Sequence, residues 1–316
     1  MASTSSLSSG AGSGNGGSVA ESITARYADV CERIARAAKR SGRSPADIIL
    51  VAVTKFAVPE QIKALLQMGH RDFGENKAQS LLQHAAVVDE FFSRQAIHST
   101  TRKAMAQEAG QTLFNSQAAV ELKPLTMLPS GRDGVRWHMI GHLQRNKAKK
   151  VCEVARIIHS VDSLRLAEEL QLIALKRETP VDILIQVNCS GEASKFGCLP
   201  AATIPLAEQI ATMVNVRVRG LMTLAAEAAK PEDTRETFIR CRELFEEVRG
   251  LRLAEGVAFN ILSMGMSGDY EVAIAEGANI VRVGSAIFGE QPVVAEREVE
   301  EREEDAEGEV GESATE

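Results

Sequence analysis

The sequence predicts an α/β protein built on a single (β/α)8 barrel, and three observations carry that expectation. Eight β-rich runs recur along the 316 residues. Each is joined to the next by a stretch long enough for a helix, and most of those stretches have helical periodicity. Repeated β-then-α units imply right-handed parallel crossovers, and eight of them close into a barrel of about 250 residues. An open, doubly wound sheet is the alternative. It usually carries a GxGxxG turn after its first strand, and none follows the first run here.

The elements follow in order. The opening MASTSSLSSGAGSGNGGS is rich in Ser and Gly and is expected to be a flexible leader, 1–18, ahead of a barrel at 19–292. It has no apolar h-region, so a secretory signal is not expected, whereas its lack of acids leaves an organelle transit peptide open. Residues 19–41 read as an amphipathic helix, with Ile23, Tyr27, Val30, Ile34 and Ala37 at helical spacing. The strand runs are 48–56, 71–76, 136–143, 157–163, 181–188, 216–224, 261–267 and 279–289. Pro59 and Ser163 are expected helix starts. The connection at 77–132 is far longer than a barrel loop. Its first part, KAQSLLQHAAVVDEFF, is helical, and the excess, about 84–134, is expected to be an insertion. The chain ends in a tail, 293–316, expected to be acidic and disordered.

That tail explains the charge. Residues 296–316 hold eleven acids against Arg297 and Arg302, so the formal −7 belongs to one end, and the rest carries 34 basic and 32 acidic residues. A near-neutral body without a basic block offers nucleic acid no field. No apolar run approaches the roughly 18 residues of a membrane span. Cys31, Cys152, Cys189, Cys198 and Cys241 form no CxxC and no Cys/His cluster. Reduced thiols in a cytosolic protein are expected, and a zinc site is not.

Barrels bind ligands at the carboxyl ends of their strands, where inward side chains alternate. Val51, Val53 and Lys55 share one face, which brings Lys55 to that end. Burial there would favour the neutral amine that imine formation needs. SMGMSGD closes the seventh run and VRVGSAIFG forms the eighth. Gly265, Gly268 and Gly284 let backbone N–H groups approach an anion, and Ser267 and Ser285 add hydroxyls. Loops after strands seven and eight are a recurrent phosphate cradle. Arg282 shares a face with Gly284; it either pairs with an acid inside the barrel or faces a ligand ring. Asn76, ending FGEN, faces the same cavity. In WHMIGHLQRNK one of Trp137 and His138 points inward, and a strand histidine is more often a core or rim residue than a catalyst.

Taken together, AVTKF, FGENKAQ, WHMIGHLQRNK, HSVDSLRLAEEL, QVN, VRGLMTL, LSMGMSGDYEVAI and VRVGSAIFG resemble the pyridoxal phosphate homeostasis protein family, small relatives of the N-terminal barrel of alanine racemase. The resemblance covers roughly residues 20–290 apart from the insertion. It implies a fold-type III barrel holding pyridoxal 5′-phosphate (PLP) as a Schiff base on Lys55. Ser267, Gly284 and Ser285 match the phosphate-binding positions, Arg282 the arginine facing the pyridine nitrogen, and Asn76 and His138 pocket positions. GEASKFGC carries the family's Lys-x-Gly pattern, while His142 stands where some members have proline. The implied role is storage, buffering or delivery of PLP in the cytoplasm, with PLP-dependent apoenzymes as recipients, by a monomer or weak homodimer.

Two enzyme readings compete with it. A racemase needs a second base, which in the resembled racemases is a tyrosine from a C-terminal β-domain. The charged tail follows the eighth run directly, so no such domain is expected, and Tyr27 and Tyr270 are poorly placed for the role. A sugar-phosphate barrel enzyme with a Lys Schiff base and no cofactor is the third reading.

Overall fold

Short β-branched runs such as Ile49–Val53 suit strands buried on both faces, which a parallel barrel requires. In the computed structural model, which describes residues 15–108, 134–192, 195–253 and 256–289, eight such runs pair in chain order. They are β1 Ile49–Val53, β2 Asp72–Glu75, β3 Arg136–Met139, β4 Ala155–Val161, β5 Val181–Gln186, β6 Val216–Met222, β7 Ile261–Ser263 and β8 Ile280–Val283. All pairs are parallel, and β8 returns to β1. Closure excludes the open sheet. Around the strands lie α1 Asn15–Arg40, α2 Pro59–Gln67, α3 Ala78–Glu108, α4 Arg145–Val154, α5 Leu164–Arg177, α6 Pro200–Ala211, α7 Arg235–Gly250, α8 Tyr270–Ala275 and α9 Ser285–Phe288. None among the described residues is long and apolar enough to cross a membrane.

The two faces of the strands make two cores. Val51, Ile157, Leu184, Met222, Ile261 and Ile280 fill the barrel interior. The outward residues, among them Ala52, Phe73 and Trp137, pack under the helices. Trp137 lies against Phe73, with ring centroids 5.4 Å apart. It is therefore His138 that points inward.

Each strand overlaps its expected run, with differences at the ends. β4 begins at Ala155, two residues sooner than its pattern suggests. The seventh and eighth runs are only half strand. β7 stops at Ser263 because the chain turns at Gly265, whose φ of +94° suits glycine, and a Cβ there would lie 2.6 Å from that of Ala273. β8 stops at Val283, and a helical turn begins where the amides of Ile287 and Phe288 bond the Gly284 carbonyl.

α2 starts at Pro59 and α5 follows Ser163, as their residues suggest. α3 buries Leu81, Ala85 and Val88 at helical spacing, so the stretch from residue 84 begins as a helix packed on the barrel. The remainder, 109–133, lies outside the described residues, as do the leader to residue 14 and the tail from 290. α1 is additional to the eight repeats. It buries Ile23, Val30, Ile34, Ala37 and Ala38 across the seam where β8 meets β1. Each fully buried Ile or Val contributes about 1.5–3 kcal/mol by area, so this apolar stripe holds the helix.

Candidate functional site

β1 ends at Val53, between Gly74 on β2 and Gly284 beyond β8. A Cβ on Gly284 would lie 3.3 Å from the Val53 carbonyl oxygen, a tight approach that glycine avoids. Lys55 emerges two residues further on, in a turn at the barrel mouth, with its Nζ 4.5 Å from the centre of the Phe56 ring. The apolar burial expected of Lys55 is not found: the residue is exposed, because the strand has ended and the chain is already turning outward. Its neighbour Thr54 is fully buried and anchors the turn. The Thr54 hydroxyl donates to Glu75, whose same oxygen lies 2.7 Å from His84 Nδ1 on α3.

Across the seam, the Ser267 hydroxyl oxygen accepts from the amides of Gly284 (3.1 Å) and Ala286 (3.4 Å), joining the loops after β7 and β8. Ser285 is exposed as the first residue of α9. The Met266 amide donates to Asp269, whose carboxyl is raised by burial. Asn76 is half-buried just past β2, pressed by the chain at Gly141, where a Cβ would meet the Asn76 carbonyl at 2.0 Å.

Arg282 is enclosed, at 2% exposure. Its Nη1 donates to the Ser263 hydroxyl at 2.6 Å and its Nη2 to the Thr223 carbonyl at 2.9 Å. No carboxylate pairs with it among the described residues, which removes the first of its two readings. Burial lowers its pKa to about 10, with Asp269 and Cys241 acting the other way, so it stays charged at neutral pH.

The structure therefore brings Lys55, Ser267, Gly284 and Ser285 to one seam, with Asn76 on the neighbouring strand end and Arg282 beneath. His138 sits lower, in register with Gly74 and Ile157. It is fully buried, and its ring nitrogens face Asp72 and His159. Sequence reasoning passed over Asp72, His159, Thr223 and Ser263. For Asp72, His159 and Ser263 the signal was the same period-two alternation, since Asp72 lies two residues before Gly74 and Ser263 two before Gly265; Thr223 contributes only its backbone carbonyl.

A primary amine, two serine hydroxyls, a glycine gap and a buried guanidinium without a carboxylate fit an aldehyde-bearing phosphate ester with a basic ring nitrogen. Residues 32–292 match the alanine racemase N-terminal domain family. A pyridoxal phosphate homeostasis protein from Aquifex aeolicus is 36% identical, over 84% of this chain and 97% of its own. The chain belongs to the pyridoxal phosphate homeostasis protein family. The structure of PipY from Synechococcus elongatus with PLP bound is 29% identical, with a TM-score of 0.58 over 84% of this chain and all of its own. An alanine racemase from Clostridium difficile is 14% identical with a TM-score of 0.54, covering 86% of this chain and 56% of its own; it shares the fold.

Proposed function

We propose that this chain binds PLP at the barrel mouth and serves the homeostasis of that cofactor, by storage, buffering or delivery to apoenzymes. The observation that supports the reading is the pairing of β1, which Lys55 follows by two residues, with β8, whose end at Gly284 and Ser285 is bonded to Ser267. PLP supplies, when bound, an aldehyde for a lysine amine and a chromophore. Lys55 provides the amine for a Schiff base. Ser267, Ser285 and the amides beside Gly284 hold the phosphate, Arg282 offers its guanidinium to the pyridine nitrogen, and Asn76 bonds at the pocket wall. His138 supports that pocket from below. PLP-dependent apoenzymes are the proposed recipients, the cytoplasm the proposed compartment, and a monomer or weak homodimer of a barrel spanning 19–292 the proposed form.

Borohydride reduction of PLP-loaded protein, followed by peptide mapping, tests the covalent site. The label is expected on the Lys55 peptide. A label on another lysine, or protein that takes on no visible band with PLP, overturns the reading.

A further inference from the structure

Beneath the mouth, part of the barrel interior is lined by polar side chains. His138, His159 and Ser263 are each fully buried there, beside Arg282. Four consecutive contacts join them. Arg282 Nη1 lies 2.6 Å from Ser263 Oγ, Ser263 Oγ 3.0 Å from His159 Nδ1, His159 Nε2 3.0 Å from His138 Nδ1, and His138 Nε2 3.2 Å from Asp72 Oδ1. Asp72 is closed off by Arg136, which donates from Nε at 2.6 Å and from Nη2. The row runs from β8 through β7, β4 and β3 to the start of β2.

With both rings neutral, one hydrogen assignment satisfies every link. Asp72 accepts only, so His138 carries its hydrogen on Nε2. His138 Nδ1 then accepts from His159 Nε2–H, and His159 Nδ1 accepts from the Ser263 hydroxyl. That commits the Ser263 hydrogen and leaves its lone pairs to Arg282. Burial, with the charge of Arg282 adding to it, holds the His159 pKa well below its ordinary value, in keeping with a neutral ring.

The geometry points to Ser263 and His159 as positioning residues, which with His138 and Asp72 form a relay that fixes the Arg282 guanidinium without neutralising it. Each dipole in the row has its negative end toward the guanidinium and its positive end toward Asp72. A carboxylate placed directly on Arg282 would hold the side chain equally well but cancel its charge toward a ligand ring. Four links away, Asp72 orients the row and leaves the cation uncancelled. Burying this many polar groups is costly unless each is bonded, and Ile157, Ile261 and Ile280, two residues before His159, Ser263 and Arg282 on the same strands, are apolar.

The inference rests on the PLP reading for its consequence but not for its geometry, and the experiment separates the two. In full-length protein loaded with PLP, Ser263→Ala and His159→Leu are expected to raise the Kd for PLP about tenfold, one charge-assisted hydrogen bond's worth, and to move the visible maximum. Ser263→Thr, which keeps a hydroxyl, is expected to restore both. In the Arg282→Lys background, which removes the forked guanidinium, Ser263→Ala is expected to add little further. Long-range 15N–1H spectra of the unloaded parent are expected to show His159 protonated on Nε2 alone. Unchanged Kd and band in both variants, a failure of Ser263→Thr to restore them, or His159 protonated on Nδ1, overturns the relay. If the variants do not fold, the His159 tautomer in the parent decides. A parent without a visible band sinks the PLP reading and leaves that tautomer test standing.

Discussion

Arg282 and Asp72 are the two residues whose burial asks most of the barrel. A guanidinium at 2% exposure with a hydroxyl and a carbonyl as partners contributes little to stability, since its desolvation offsets what two hydrogen bonds return. Arg282→Gln is therefore expected to leave the melting temperature within a few degrees of the parent while weakening PLP binding roughly ten- to a hundredfold. Thermal melts and a PLP titration of one preparation check both halves. Asp72 behaves in the opposite way. Burial alone would raise its carboxyl, but hydrogen bonds from Arg136 and His138 overcome that and hold it below the usual carboxylate range. A depressed folded value means that ionised Asp72 stabilises the fold above the unfolded value of about 4. That contribution falls away as the pH drops below 4. Asp72→Asn, which leaves Arg136 without its anion, is expected to cost about 3 kcal/mol at pH 7. The difference from the parent should shrink as denaturant melts are moved from pH 6 toward pH 3. An equal gap across that range would show that the carboxylate charge is not what matters.

Among the elements, α9 is where fold and site meet. It is a single turn, Ser285–Phe288, directly after the cradle, and α1 holds its far end. Arg26 Nε donates to the Ile287 carbonyl at 2.7 Å, and Nη2 reaches the Phe288 carbonyl at 3.4 Å. Arg26→Ala should cost about 1 kcal/mol of stability and loosen PLP several-fold through Ser285, read by the same melts and titration. Nothing in the sequence links residue 26 to residue 287, and the site's other hidden partners share that property. Strand order, the helix starts at Pro59 and Ser163, and the place of Lys55 just past the end of β1 follow from local pattern, because period-two and helical spacing are written within a few residues of each other; the exposure of Lys55 does not, since the alternation stops where the strand does. The half-helical eighth run was less legible, since VRVGSAIFG is mostly apolar on both sides of Gly284 although the backbone turns there. His159 and Ser263 stand 104 residues apart and meet only because the barrel closes. Alternation says which way each points, but not which neighbour it reaches.

For the molecule as a whole, the arrangement around the mouth bears on whether bound PLP is used or kept. Proton exchange at the α-carbon of an amino acid needs a base on that carbon and a ring that withdraws electrons. Neither tyrosine of the chain supplies the base. Tyr27 is half-buried on α1, its hydroxyl 3.1 Å from His70 Nδ1. Tyr270 is 1% exposed, its hydroxyl enclosed without a hydrogen-bond partner among the described residues. Burial raises the pKa of both. Arg282, held charged where the reading places the pyridine nitrogen, opposes ring protonation and so weakens electron withdrawal. On the PLP reading, Lys55 is left as a base on one face only. PLP-loaded protein incubated with L- and D-alanine in deuterium oxide is accordingly expected to exchange and racemise little faster than free PLP at equal concentration. Mixed with an apoenzyme that requires PLP, the same preparation is expected to restore activity as its visible band declines. Racemisation at about 1 s⁻¹ or faster, an ordinary enzymatic rate, would make this barrel a catalyst and turn the search for its second base to His142, exposed on the loop after β3.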